Sequence, residues 1–419
     1  MIFKSTKEKF IFYNFPIILF SLIPLFLITG PFLSDLSISL ISLLFLIYCF
    51  KEKNFNYFKN KYFYFFLIFW AYLVFNTLVN NFNIDSLKIS LFYFRYGIFV
   101  IALVALLNFD YKFIKYFFYC ILICFIILIT HGFYEYFFVE TNSRVSSFFG
   151  DEKILGSYMS RLWPIFFGLS IFLFNKKSKF FLFLISIFIL SEVLIFLSGE
   201  RSAFFYINLS AFFVILFSRN LLKLRLFTLL GSIFLIIIIT FVNPTAKERM
   251  LDKTLNQMNI LNEDKKDYDG IYIFSIAHTH HYISAYRMFL DNKFLGVGVK
   301  NFRNFCKNEK YNISKYSCTS HPHNSYIQFL AEIGIIGFLF LLSTLFYFCM
   351  NMIKHIKLRL NGGYFFNDFE ICILSGLAIY LWPFIPTGNV FNNWLTIALI
   401  LNLPFLFNSK ALLNSIKFK

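Results

Sequence analysis

Apolar segments of about 18 residues or more recur along almost the whole chain, and they limit it to one class of fold. A helix of that length crosses a hydrocarbon core of roughly 30 Å and satisfies its own backbone polar groups there. The composition agrees, because 58% of the 419 residues are hydrophobic and only 15% are charged. The sequence therefore predicts an all-α integral membrane protein embedded in a lipid bilayer.

The borders of the apolar runs predict about 12 transmembrane helices. Gly30 and Pro31 separate the first two, since proline ends a helical hydrogen-bond ladder and glycine permits a reversal. A large, mostly helical loop lies between helices 9 and 10. The chain thus divides into helices 1 to 9 (1–243), the loop (244–325), and helices 10 to 12 with a tail (326–419). The predicted spans are 11–30, 32–50, 62–80, 87–108, 113–138, 155–174, 180–198, 202–217, 224–243, 326–352, 366–386 and 391–408.

The positive charges predict the orientation of these helices. With this topology, 21 Lys and Arg residues fall at helix ends and termini on one side, against four in the short loops of the other. Short cytoplasmic loops retain Lys and Arg, so we expect both termini in the cytoplasm and the loop 244–325 in the periplasm of a bacterial inner membrane. The net charge of +17 then reflects topology, and it indicates no nucleic-acid partner.

Two helices are predicted within the large loop. A short amphipathic helix from Thr245, with Leu251, Leu255 and Met258 on one face, is expected to form a lid on the membrane surface. A second helix is predicted from about Ile271 to Leu290, and a glycine-bearing turn follows it.

The motif His321-Pro322-His323-Asn324 directly precedes the tenth predicted helix. Ser325 and Gln328 fit a capping box, and the positive end of a helix disfavours the imidazolium ion. His323 is then a neutral proton acceptor, and Asn324 is available to orient the ring or to bind a sugar hydroxyl. The alternative is that both histidines only cap the helix at the membrane interface.

Arg201 begins the eighth predicted helix on the same side, after the small residues Ser198 and Gly199. An arginine in this position can bind phosphate through two parallel hydrogen bonds, or it can serve only as an interfacial anchor. Arg95 and Glu192 differ, because both lie inside predicted helices, where ionisable groups are usually paired. We interpret them as members of structural ion pairs.

Cys306 and Cys318 lie 12 positions apart in the loop, outside the apolar runs. In an oxidising periplasm a disulfide between them would constrain the segment that leads to His321, and two free thiols are the alternative.

The cluster from His278 to His281 raises the possibility of a metal site, since both ends share a helical face. No carboxylate or cysteine lies near it at convincing spacing, so we predict no metal and favour a surface or substrate-lining role.

Together these features resemble the O-antigen ligase family of bacterial membrane proteins, which also includes polymerases and protein O-oligosaccharyltransferases. The His321-to-Tyr326 motif followed by Glu332 to Gly337 carries most of the resemblance. The segment Ser198 to Arg201 and the stretch Phe294 to Arg303 add to it.

This resemblance implies a glycosyltransferase that needs no metal or other cofactor. The donor is an undecaprenyl-pyrophosphate-linked glycan and the acceptor lipid A-core or another glycan. By position, His323 is the catalytic base and Arg201 binds the pyrophosphate. The expected second arginine of the loop is missing, so Arg287 or Arg303 supplies that contact, while His321 and Asn324 assist at the substrate site. A glycolipid flippase or transporter is the alternative from another class.

Overall fold

A computed structural model describes residues 3–80, 82–139, 144–242, 245–258 and 274–408. Every regular element in these ranges is helical, which confirms the all-α prediction. The helices pack mainly through buried Phe, Leu and Ile side chains of neighbouring apolar segments, as expected for a bundle in which lipid covers the outside.

The α-helices, numbered in chain order, are α1 (Thr6–Thr29), α2 (Pro31–Lys51), α3 (Lys61–Val79), α4 (Ile84–Phe109), α5 (Tyr111–Phe138), α6 (Leu155–Leu173), α7 (Lys179–Leu197), α8 (Arg201–Phe217), α9 (Leu222–Val242), α10 (245–257), α11 (Ile276–Asp291), α12 (Phe302–Phe305), α13 (Ser325–Leu360), α14 (Asp368–Leu381) and α15 (Asn393–Ile400). Short 3₁₀ turns lie at Asn56–Phe58 and Ser147–Glu152. The predicted loop helices correspond to α10 and α11.

Eight of the described helices are long and apolar enough to cross a membrane: α1 to α5, α7, α9 and α13. The other four predicted spans correspond to α6, α8, α14 and α15, so the total of twelve spans stays a prediction. The predicted span 366–386 is too long, because α14 ends at Leu381. Pro383 and Pro386 follow, and proline cannot continue a helical hydrogen-bond ladder.

The two charged residues that the sequence analysis singled out inside predicted helices, Arg95 and Glu192, are each paired. Arg95 of α4 forms an ion pair with Asp35 of α2, and Glu192 of α7 pairs with Arg225 of α9. Ser232 also donates a hydrogen bond of 2.7 Å to Glu192. Both pairs join different helices, which is how a buried charge is compensated away from water.

The helix α13 is broken where the sequence predicts a continuous span. Gly334 has φ 65° and ψ −170°, and the freed Ile335 N–H donates to the Lys293 carbonyl at 2.8 Å. A Cβ on Gly334 would lie 2.2 Å from the Phe294 carbonyl oxygen, so only glycine fits. The break docks the first turns of α13 against the loop that follows α11.

Replacing Gly334 with Ala is expected to lower the free energy of unfolding by about 2–4 kcal/mol, because it adds backbone strain and a steric overlap. Thermal unfolding of the purified protein in detergent measures this. The matched control is Gly363→Ala, where a Cβ would meet only an ordinary contact at 3.5 Å and φ is not positive. Equal melting temperatures for the two variants would contradict the strain argument.

Candidate active site

A cavity of about 1140 Å³ lies at one end of the helix bundle. The chain reaches it at the end of α1, at the starts of α6 and α8, and through the segments before α13 and α15. Its charged and imidazole lining consists of six cations (Arg144, Arg161, Arg201, Arg249, Lys300 and Arg303), two carboxylates (Glu152 and Glu200) and three histidines (His278, His321 and His323). Apolar side chains line another part: Leu27, Ile28, Phe148, Phe149, Trp394 and Leu395. The cavity therefore suits a ligand with a strongly anionic part and an apolar part.

His323 stands at the centre of a cluster of imidazole rings. The ring centroid of His321 lies 4.1 Å away, and those of His278 and His281 both lie 5.3 Å away. The backbone of His323 has φ 56°, a left-handed conformation that is uncommon for non-glycine residues and often found at functional sites. Among the described residues neither ring nitrogen has a hydrogen-bond partner, so the imidazole is available to a substrate.

His321, the other histidine of the motif, has a hydrogen-bond partner at each ring nitrogen. His321 Nε2 lies 3.2 Å from the Thr387 carbonyl oxygen, and its Nδ1 lies 2.9 Å from the Ser320 hydroxyl. Thr387 in turn donates its backbone N–H to the His323 carbonyl at 2.8 Å. These bonds tie the segment before α15 to the motif, so His321 positions its neighbour.

Asn324, rather than Ser325, caps α13, and the predicted capping box of Ser325 and Gln328 is wrong. The Asn324 side chain accepts hydrogen bonds from the N–H groups of Tyr326 and Ile327, and it donates to the Pro383 carbonyl at 2.7 Å. Gln328 instead donates to Glu332 and Asn389. Asparagine is a strong N-cap because its short side chain reaches these orphan donors.

Burial and mutual repulsion keep the imidazoles neutral. Burial, followed by the neighbouring His321, His278 and His281, lowers the pKa of His323 to about 3. Burial lowers the pKa of His321 to about 4 and that of His281 to about 4 as well. At neutral pH all three rings are uncharged, and the unbonded His323 keeps the free lone pair that a proton acceptor requires.

Arg201 lies where α8 begins and points into the cavity. Its guanidinium donates to the Gln257 side chain at 2.6 Å and to the Arg249 carbonyl at 3.2 Å. Its Nε is buried without a partner among the described residues. A buried N–H without an acceptor is costly, so this group is suited to an anion that enters the cavity.

Helix α10, the segment that the sequence predicts to be a lid, supplies a second arginine that the sequence did not single out. Arg249 in α10 donates from Nε to the Gly199 carbonyl at 3.2 Å, and it packs so closely that a Cβ on Gly199 would lie 2.5 Å from Arg249 Cδ. Met250 is buried against the bundle and Leu251 is 52% exposed, so the residue that packs inward differs from the predicted apolar face, and the role of that face stays a prediction. A π-helical turn over 248–252 alters the helical periodicity there.

Arg161 is the most buried cation of the lining and was also missed. It is 3% exposed, and its guanidinium stacks on the rings of Tyr206 and Tyr380 at 4.7 and 5.5 Å. Its Nε has no partner among the described residues. An isolated arginine in an apolar run carries no motif; its location inside a predicted span was the one available signal.

Glu200 precedes Arg201 but leaves the arginine unpaired. Its carboxylate accepts the backbone N–H groups of Gly156 and Ser157 and the Ser157 hydroxyl, at 2.6, 3.1 and 2.8 Å. A carboxylate at the first turn of α6 favours that helix terminus. Burial nevertheless raises the pKa of Glu200.

Of the two arginines proposed for the second phosphate contact, only one lies at the cavity. Arg303 lines the cavity, whereas Arg287 is exposed on α11 and is not part of the lining. Cys306 and Cys318 form a disulfide with a Cα separation of 5.0 Å, in the loop before His321.

The histidine cluster does not have the arrangement of a metal site. Within the described ranges no group of three or more His, Cys, Asp or Glu side chains is placed to hold a metal ion. His278 is instead bonded to the Ser275 hydroxyl at 2.8 Å and lines the cavity.

The family model described as O-Antigen ligase matches residues 180–342. This match confirms the resemblance seen in the sequence, and it includes Arg201, Arg249, Arg303 and His323. No curated protein matches the chain. The family is associated with glycosyltransferase activity and with glycan and lipid substrates. Residues 180–342 are thus similar to the O-antigen ligase family, and together with the apolar helices this match indicates a multi-pass bacterial membrane protein.

Proposed function

We propose that this protein transfers a glycan from undecaprenyl pyrophosphate to an acceptor, most simply lipid A-core, at the periplasmic face of the inner membrane. Both termini then lie in the cytoplasm. The observation that carries the proposal is one cavity that combines the unbonded imidazole of His323 with six cations. None of those cations forms a salt bridge with a carboxylate in the described part of the chain.

The proposed reaction is a single displacement. The acceptor hydroxyl attacks the anomeric carbon while His323 takes its proton, and the bond from that carbon to the pyrophosphate oxygen breaks. The electron pair leaves with undecaprenyl pyrophosphate, and Arg201 stabilises the developing charge. Attack from the face opposite the leaving group inverts the anomeric configuration.

The cations of the cavity are suited to the role that a divalent metal plays in many glycosyl transfers. Arg201 and Arg249 lie side by side, and Arg161 adds a third guanidinium to the lining. Guanidinium groups match phosphate geometry through paired hydrogen bonds. We therefore propose that transfer needs no metal.

Binding of the donor also improves His323 as a base. In the empty cavity, burial and the neighbouring imidazoles hold its pKa at about 3. The dianionic pyrophosphate stabilises a nearby positive charge, so the pKa of His323 rises in the complex towards the range useful for catalysis.

The test is a transfer assay with purified protein, an undecaprenyl-pyrophosphate glycan, candidate acceptors and EDTA. We expect glycosylated acceptor in the presence of EDTA at an unchanged rate. Loss of transfer on chelation, restored by a divalent ion, would overturn the metal-independent mechanism. Absence of transfer to every glycan acceptor, by protein that still binds the donor, would overturn the function.

The acceptor decides between ligase and polymerase within the same chemistry, and a protein hydroxyl is the third choice. A cell without a ligase makes core lacking polymer, whereas one without a polymerase makes core with a single repeat. Gels of lipopolysaccharide from a deletion strain separate these outcomes.

A further inference from the structure

Five of the six cations of the cavity form two groups near His323, while Arg161 is stacked on two tyrosine rings. Arg144 and Arg201 lower the pKa of Arg249, after burial, and Arg201 donates to the Arg249 carbonyl. Lys300 and Arg303 form a separate pair at the start of α12, where the backbone N–H groups of Lys300 and Phe302 are bonded to Glu332 of α13.

The two groups approach the imidazole cluster through different rings. The charge of Arg201 acts on His278, and the charges of Arg303 and Lys300 act on His321. Both of these rings contact His323. The group that contains Arg201 therefore lies on the side of His323 that faces His278 of α11. Lys300 and Arg303 lie on the side that faces His321.

A loop that is hydrogen-bonded to α13 holds the second pair at the cavity. The fully buried carboxylate of Glu332 accepts the backbone N–H groups of Lys300 and Phe302 at 3.1 and 3.2 Å. The N–H groups of Val297 and Gly298 donate to backbone carbonyls of α13, both at 2.8 Å. Lys300 itself has φ 59°, a strained conformation that the surrounding hydrogen bonds impose.

Neither cation of this pair forms a salt bridge in the described part of the chain, although both line the cavity. Burial and the charge of Arg303 lower the pKa of Lys300, whereas the nearby Glu332 carboxylate raises it. Glu332 is directed at backbone N–H groups. Lys300 is partly buried and Arg303 is exposed, and both line the cavity, so an anionic group that enters there meets two positive charges.

The donor does not account for this pair. The sequence-based expectation gave Arg303 or Arg287 to the pyrophosphate. This diester is a dianion, however, and Arg201, Arg249 and Arg144 already provide three positive charges in the first group. The acceptor hydroxyl must reach His323 from another direction than the leaving group, which leaves the side of His321 for the acceptor.

We propose that Lys300 and Arg303 bind an anionic group of the acceptor, a phosphate or carboxylate close to the hydroxyl that is glycosylated. This inference rests on the proposed glycan transfer. It makes the acceptor an acidic saccharide and makes the pair a determinant of acceptor specificity.

The experiment compares lipid A-core carrying its phosphates with the same glycolipid after dephosphorylation. Binding to the full-length protein in nanodiscs and the acceptor KM are measured for the wild type and for the double variant Lys300→Gln, Arg303→Gln. Lys307→Gln is the matched control, because it removes one exposed positive charge from the same loop outside the cavity lining.

We expect the wild type and the control to bind the phosphorylated glycolipid at least about tenfold more tightly than the dephosphorylated one. The double variant should lose that preference while its donor KM stays within about twofold. If the pair binds carboxylates of the core instead of phosphates, dephosphorylation leaves acceptor binding unchanged. Methyl esterification of the acceptor then weakens binding to the wild type.

Two results overturn the inference: equal binding of native, dephosphorylated and esterified acceptors by the wild type, or a rise in donor KM as the main effect of the double variant. The second result assigns the pair to the pyrophosphate. Acceptor binding is measured without turnover, so the two proposals are tested separately. A protein that prefers acidic acceptors but transfers no glycan contradicts the proposed function and leaves the inference about Lys300 and Arg303 standing.

Discussion

Replacing His323 with Asn is expected to lower kcat for glycan transfer by about 10²- to 10⁴-fold, the usual contribution of a general base. Asparagine tolerates the left-handed backbone at this position, so the change removes the proton acceptor with little strain. Donor affinity, measured by binding to the purified variant, should stay within about threefold. A kcat within fivefold of wild type would show that another group takes the proton.

The pH dependence of the wild type gives an independent measure of the same base. A pKa near 3 leaves His323 unprotonated as pH falls through the range where histidines ordinarily titrate, near 6.5. The pH profile of kcat/KM reports the ionisation of the free enzyme. We therefore expect no decrease in kcat/KM from protonation of His323 between pH 8 and about pH 5. The kcat profile should fall at a higher pH, because bound pyrophosphate raises the pKa. An acid limb near pH 6.5 in kcat/KM would contradict the buried, neutral cluster.

The helical class and the placement of its segments could be predicted because they depend on local signals. A run of apolar residues long enough to cross a membrane is visible without knowledge of any contact. The break at Gly334 was missed because its cause is distant in sequence, namely the Phe294 carbonyl and the bond to Lys293. Within an apolar run, one glycine gives no separate signal for a change of direction.

The candidate site was predictable only in part, for the same reason. His323 and Arg201 belong to short motifs at helix ends, and the structure brings both to one cavity. Arg161 and Arg249 have no such motif, and only tertiary packing carries them to the lining. The choice between Arg287 and Arg303 likewise depends on which face of the loop meets the cavity, and spacing alone does not provide that information.

Replacing Arg201 with Gln is expected to lower kcat/KM for the donor by about 10²- to 10³-fold, the loss typical of removing one preorganised charge from a developing oxyanion. Arg201→Lys should recover part of the rate, because lysine keeps the charge but cannot bind phosphate through two parallel hydrogen bonds. Steady-state kinetics with varied donor concentration measure both variants.

The contacts of Arg201 with the lid provide the decisive control. Arg201 also donates to Gln257 of α10, so its loss could act by releasing that helix. Gln257→Ala removes this contact and keeps the guanidinium, and we expect it to lower kcat/KM by less than about tenfold. If Gln257→Ala reproduces the full loss, Arg201 acts by docking the lid. If Arg201→Gln alone is severe, the charge itself stabilises the departing pyrophosphate, as its unpaired Nε suggests.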